Sequence, residues 1–442
     1  MKRITVRGAG HRWKVLGVGV AANASFAAAF AGIPATAVLL RSDYRIGNGE
    51  LGFVLGMLGL GIVLSELPWG LLTDRWGDRR VLLTGLGATA AALLAMACWG
   101  SPEGARVPAV ATLAAGLLAI GLLGGSVNGS SGRAVMVWFS AGERGLAMSI
   151  RQTAVPTGAG IGALLLPVVA MHAGFAWVYA VLAAMCLLSA FLTIIWLHEP
   201  EAADHADGAP NPVNPANPTM AAARAVSPLR SMPVWRVVLG MAALCMPQVA
   251  VLSFASIFLH DVGHAGTVAV SATLATVQGG AAVMRVWSGR WTDRHGNRHA
   301  YLRACAAITV VLFALLAALT AWTGHGARDA AAFIVPLTVL LVLGGVSASA
   351  WHGVAFTELA TLAGNGRVGT ALAMGNTGAF IAFWVAPSAI PLLLSAFAWP
   401  AVWVAAAACA ALAWRVFPGA CASPVPRTTA AQERRAPSRA AV

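Results

Sequence analysis

Gly70-Leu71-Leu72-Thr73-Asp74-Arg75-Trp76-Gly77-Asp78-Arg79-Arg80 returns later in the chain as Gly289-Arg290-Trp291-Thr292-Asp293-Arg294-His295-Gly296-Asn297-Arg298-His299. Glycine, threonine, aspartate and arginine hold matching places in both copies, 219 residues apart (289 − 70; 293 − 74). Two further correspondences keep the same order. Gly124-Gly125 ahead of Gly132 echoes Gly344-Gly345 ahead of Gly353, and Leu146-Ala147-Met148 echoes Leu372-Ala373-Met374. Three matches in one order at similar offsets indicate a duplicated unit. The motif has mechanical content of its own. Gly70 and Gly289 let another helix pack close. Gly77 and Gly296 permit the backbone of a tight turn. Asp74 and Asp293 fall at helix ends, where a carboxylate can face the positive amino-terminal end of another helix.

Outward from the motif the chain is strongly apolar. Of 442 residues, 58% are hydrophobic and 10% charged, and the mean hydropathy is +0.75. A soluble domain carries about 25% charged residues, so this chain lacks the ionic surface that water requires. Apolar spans recur at 15–40, 50–72, 81–100, 107–138, 145–171 and 174–197. After a break they resume at 233–259, 267–291, 301–322, 331–357, 367–396 and 398–417. Helices are the expected structure, because an open sheet edge cannot be satisfied in lipid. The first run reaches Leu40, long enough to span a bilayer, and reads as an uncleaved first helix although Ala22-Asn23-Ala24 resembles a signal-peptidase site. The break at 198–232 holds Glu199, Glu201, Asp204 and Asp207, then Pro210, Pro212, Pro215 and Pro218, which favour extended chain. The expected organisation is a basic amino terminus (1–14), a six-helix unit (15–197), a linker (198–232), a second six-helix unit (233–417) and a disordered tail (418–442).

The net charge of +13 does not imply a nucleic-acid partner. Of the 29 Lys and Arg residues, all but Arg41, Arg45, Arg106 and Arg328 fall on or near one face of the twelve-span topology. That is the positive-inside bias, and it makes this face, with both termini, the cytoplasmic one. Cys98, Cys186, Cys245, Cys305, Cys409 and Cys421 form neither a metal-ligand pattern nor a disulfide framework. There is no phosphate-binding Gly-x-x-x-x-Gly-Lys-Ser/Thr motif and no catalytic set, so neither a cofactor, a metal nor an enzymatic activity is expected.

With its duplicated Gly-x-x-x-Asp-Arg-x-Gly-x-Arg element, the chain resembles the major facilitator superfamily over about residues 14–417. The resemblance implies an all-α membrane protein of 12 transmembrane helices in two pseudo-symmetric six-helix bundles. It implies a partner from the opposite half for each motif aspartate: the eleventh span near Gly369 for Asp74, and the fifth near Gly145 for Asp293. A cytoplasmic gate would then comprise Gly70, Asp74, Arg75, Gly77, Arg79, Arg80, Gly289, Asp293, Arg294, Gly296 and Arg298. Drug/proton antiporters of the superfamily carry Gly-Pro-x-x-Gly-Gly in the fifth span. Here the segment is Val155-Pro156-Thr157-Gly158-Ala159-Gly160, without the Gly-Pro pair. Several carboxylate- and nitrate-carrying branches place a substrate-binding arginine where Arg285 stands.

Ionisable groups within spans are costly and therefore informative. Glu66 and Arg285 are repeat equivalents (285 − 66 = 219), each one turn before its motif glycine. Arg285 suits an anion, since its planar fork can hold a carboxylate bidentately. It could equally form an interhelical salt bridge, with Glu66 itself as a partner. Glu66 could carry a proton. Arg133 and Arg151 lie within about two turns of the surface, where snorkelling and structural pairing are expected. His352 is either a packing group or a substrate or proton ligand. Asn128, Gln152, Gln248 and Asn376 are each either helix–helix glue or, if the resemblance holds, cavity lining. Pro34, Pro156, Pro247 and Pro387 mark kinks. The expected function is a proton-coupled carrier of a small organic anion, monomeric, in a bacterial inner membrane, with the lipid bilayer and a small-molecule substrate as partners. The alternatives are a drug or metabolite efflux permease and a membrane sensor that has lost transport.

Overall fold

In lipid each backbone N–H and C=O must find its partner within its own segment, so the apolar runs coil into helices. The computed structural model describes residues 10–198, 227–263, 265–324, 333–364 and 366–419. The expected basic segment before residue 10, most of the linker, Arg328 and the tail beyond 419 lie outside the described residues. In chain order the helices are α1 (His11–Ala35), α2 (Ala37–Asp43), α3 (Asn48–Trp76), α4 (Asp78–Trp99), α5 (Val110–Gly124), α6 (Ser126–Trp138), α7 (Arg144–Ala173) and α8 (Phe175–Trp196). The second half contains α9 (Met232–Gly263), α10 (Thr267–His295), α11 (Arg298–Gly324), α12 (Ile334–Ser349), α13 (His352–Ala363), α14 (Val368–Ala396) and α15 (Trp399–Val416). Among the described residues there is no strand, only an isolated bridge between Glu103 and Arg106.

These helices form two six-helix bundles. Among the described residues eleven spans are long and apolar enough to cross a membrane. The twelfth, α10, has 29 residues and is more polar, carrying Gln278, Arg285 and Arg290. Two spans carry a short turn in the middle, with right-handed helical backbone angles kept at Gly125, Ala350 and Trp351. The fourth divides into α5 and α6 at Gly125, and the tenth into α12 and α13 at Ala350-Trp351. The first span ends sooner than the hydropathy suggests. Pro34 supplies no backbone N–H, and Thr36 N–H turns back to the Ile33 carbonyl at 3.0 Å, so the chain restarts as α2.

The first half has a large buried core, running from Val15 to Leu197, and a smaller one of Leu16, Val135, Phe139 and Ala147. The second half has two, and one of them takes in Met136 and Met148 from the first half. Between the halves, α3 packs on α14 and α7 on α10, with further contacts of α6 on α14 and α7 on α13. Leu164 (78% exposed), Val268 (84%) and Leu392 (70%) contribute to an apolar surface of the kind lipid requires. The two motif loops occupy one end of the molecule, called the motif face below. There Arg12 pairs with Glu143 at 2.6 Å, His11 meets the Trp196 carbonyl at 2.9 Å, and Arg236 donates to the Val416 carbonyl at 2.9 Å.

Candidate functional site

At the motif face each aspartate crosses to the other half. Asp74, in the last turn of α3, accepts from the backbone N–H of Gly369 (2.7 Å), the N–H of Thr370 (2.9 Å) and the Thr370 hydroxyl (2.6 Å), all at the start of α14. Asp293, in the last turn of α10, accepts from the N–H groups of Gly145 (3.0 Å) and Leu146 (2.8 Å) at the start of α7. A helix start presents N–H groups without internal partners, together with the positive end of its dipole. The approach depends on glycine. A Cβ on Gly70 would lie 2.7 Å from the Gly369 carbonyl oxygen, and one on Gly145 would lie 2.8 Å from that of Gly289. Gly77 (φ 84°) and Gly296 (φ 65°) turn the chain after each motif helix in a conformation that side chains disfavour.

The motif arginines do different things. Arg298 lies 3.3 Å from Asp293 and 3.8 Å from Glu358, which also takes His299 at 2.8 Å. Arg79 donates to the Ile194 carbonyl at 3.2 Å. Arg75, Arg80 and Arg294 are exposed. Arg133 pairs with Asp78 at 3.4 Å, near the surface.

Deeper in the spans the polar residues form two groups. In the first half, Asn128 on α6 donates its side-chain N–H to Glu66 Oε1 on α3. The Asn128 carbonyl accepts from Arg151 Nη2 at 2.6 Å. Arg151 also donates to Ser131 Oγ (2.8 Å) and to Asn23 Oδ1 on α1 (3.2 Å). Asn376 faces the Glu66 carboxylate from α14, yet among the described residues Glu66 Oε2 is buried without a hydrogen-bond partner. In the second group, Arg285 on α10 donates to the Ser349 carbonyl at 3.0 Å and to the Gln152 carbonyl of the first half at 3.1 Å. His352 Nδ1 reaches the same Ser349 oxygen at 3.0 Å, and its ring stacks on Trp351 at 3.8 Å. A carbonyl oxygen only accepts, so Nδ1 carries the proton and Nε2 is left as an acceptor. Gln248 lies apart on α9, buried, with Oε1 unpartnered among the described residues.

One alternative that the sequence left open is resolved and one expectation is corrected. Glu66 and Arg285 do not pair: Glu66 bonds to Asn128, and no carboxylate pairs with Arg285 among the described residues. The repeat places them at matching depths in the two halves, but α3 faces α14 whereas α10 faces α7. Arg151 does not snorkel. It is 2% exposed and directed into the first half, because Asn23, Asn128 and Ser131 supply acceptors there.

The major facilitator superfamily model matches residues 18–335. The chain belongs to the major facilitator superfamily. An uncharacterised MFS-type transporter of Mycobacterium tuberculosis, Rv2994, is 29% identical to it over 90% of this chain and 82% of its own length. The proton:xylose symporter XylE matches at 16% identity with a TM-score of 0.71, covering 92% of this chain and 95% of its own. The human organic anion transporter MFSD10 matches at 16% identity and a TM-score of 0.69, over 92% and 99%. At these identities the solved structures establish the facilitator fold and nothing of cargo. What this facilitator adds is its own set of interior residues. By sequence Arg151 looks like a group near the surface, and Asn23 stands out only in the triplet Ala22-Asn23-Ala24. The available signal was the run Arg151-Gln152: one residue serves the buried group of the first half, and the carbonyl of the next serves Arg285.

Proposed function

We propose that this facilitator is a secondary transporter that carries a small organic anion by alternating access, with protons as the coupling ion. One observation carries the reading. Arg285 is 3% exposed, bonded to one carbonyl from each half and paired with no carboxylate among the described residues. A buried guanidinium without a counter-charge is costly, and two of its five N–H groups suffice for the bonds named, leaving donors for a carboxylate. Glu66 is the proton site in this reading, and Asn128, Gln152, Gln248, Asn376 and His352 line the route. The Asp74 and Asp293 contacts hold the motif face shut. That face is the cytoplasmic one, both termini lie there, and the protein works as a monomer in a bacterial inner membrane, dividing at the 198–232 linker. The charge bias and the bacterial relative support this placement. Fold relatives described as a proton symporter and as an organic anion transporter are compatible with the cargo and the coupling.

Efflux of amphiphilic compounds is the alternative. A lock between Glu66 and Arg285 would have supported it, and Glu66 bonds to Asn128 instead. A thermal-shift panel of small carboxylates and of cationic and neutral amphiphiles separates the readings. The expected result is stabilisation by carboxylates that disappears in Arg285→Ala. Equal stabilisation of both proteins by cationic compounds would contradict it.

A further inference from the structure

Among the described residues five charged side chains are buried: Glu66 (1% exposed), Asp78 (2%), Arg151 (2%), Arg285 (3%) and Glu358 (7%). Two are satisfied at the motif face, Asp78 by Arg133 and Glu358 by Arg298 and His299. The other three lie within the spans. Glu66 and Arg285 are each ten residues from the motif-face ends of their helices, Trp76 and His295, about 15 Å deep at 1.5 Å per residue. Arg151 is seven residues from Arg144, about 10 Å deep by the same rise. Two guanidiniums and one carboxylate leave the interior with one uncompensated positive charge.

The three are also linked. Glu66 bonds to the Asn128 side chain, the Asn128 carbonyl takes Arg151, the next residue's carbonyl takes Arg285, and Arg285 shares the Ser349 oxygen with His352. This chain of contacts runs from α3 through α6 and α7 into α10 and α13. The groups facing Glu66 are Asn128 from α6, Arg151 from α7 and Asn376 from α14. The oxygen free to take a proton is Oε2, which is buried and unpartnered. Asn376 faces the same carboxylate, and an amide's carbonyl oxygen can accept from a protonated carboxyl.

We infer that the cargo is a small dianion and that one proton travels with it on Glu66. This rests on the reading of Arg285 as the anion anchor. The interior must be near electrical neutrality when the loaded site is closed to water, since an uncompensated buried charge is costly. With Glu66 ionised the site carries a single positive charge and balances a monoanion, leaving no role for a proton. With Glu66 protonated the charge rises to two, which a dianion balances. The proton comes from water at one face, rides on Oε2 donating toward Asn376, and returns to water at the other face when the dianion leaves. Cargo and coupling ion are thereby tied by charge alone.

The test uses the full chain in liposomes holding a pH-sensitive dye. The probes are labelled succinate, malate and phthalate, each beside its monomethyl ester, and phenyl phosphate as a doubly charged anion of different chemistry. The expected result is entry of at least one dianion with about one proton each, at least tenfold faster than the matching monoester. Glu66→Gln should carry the same dianion with no proton. A monoester carried as fast as its parent, or a proton still moving with each dianion in Glu66→Gln, would overturn the inference and leave the anion reading intact. Failure of the wild type to move or bind any of these anions would overturn the anion reading itself. If Glu66→Gln does not fold, the wild-type ratio of label to protons decides.

Discussion

The two halves share a scaffold and differ in what they do with charge. At the same repeat position the first half has Glu66, bonded to Asn128 and facing Asn376. The second half has Arg285, held among the described residues by carbonyl oxygens alone. The first half also neutralises its acid with a guanidinium of its own, Arg151, and the second half leaves its base unneutralised. The latches differ as well. Asp74 takes three hydrogen bonds from α14, one of them from the Thr370 hydroxyl. Asp293 takes two from α7 and is backed by Arg298. Duplication preserved the glycines and aspartates of the motif, while the interior diverged: an acid stands in one half where the other has a base.

Glu66→Arg makes the two halves alike and should have the largest effect. It places a guanidinium beside Arg151 in a site with no second acid, and an unpaired buried charge of this kind costs about 3–5 kcal/mol. The expected outcome is loss of monodisperse protein in detergent; a variant as stable as wild type would break the comparison. Asp74→Asn should come next. Replacing a charge-assisted acceptor removes about 1.5–3 kcal/mol, so hydrogen exchange at Gly369 and Thr370 should accelerate about tenfold or more, with Gly145 and Leu146 unchanged. Thr370→Val removes one hydroxyl and about 1 kcal/mol, giving about fivefold faster exchange at the same segment. The smallest effect belongs to Arg298→Gln. An ion pair near the surface contributes about 0–1 kcal/mol, so exchange at Gly145 and Leu146 should rise no more than about fivefold, and Gly369 should not respond.

Much of the fold can be read locally. Gly77 and Gly296 announce turns because a positive φ is a property of one residue, and the spans announce themselves because lipid demands about 20 apolar residues. The short turns at Gly125 and at Ala350-Trp351 are not legible, since hydropathy does not record a local change in backbone hydrogen bonding. The interior was legible only as a set of residue types. Depth along a helix can be counted from sequence, but direction depends on how each helix is rotated against its neighbours. Arg151 and Arg133 look equivalent by depth; one points inward to Asn23 and Asn128 and the other to the buried Asp78 at the motif face. Glu66 and Arg285 look like a pair by register, yet they face different partners because α3 packs on α14 and α10 on α7.

Anion binding at Arg285 is read out by accumulation in proteoliposomes. A labelled carboxylate that stabilises the wild type should accumulate under an inward proton gradient. Arg285→Ala should lower that accumulation about a hundredfold, as loss of one partner of a buried charge pair does, and Arg285→Lys should restore part of it. Accumulation by Arg285→Ala at the wild-type rate would contradict the account.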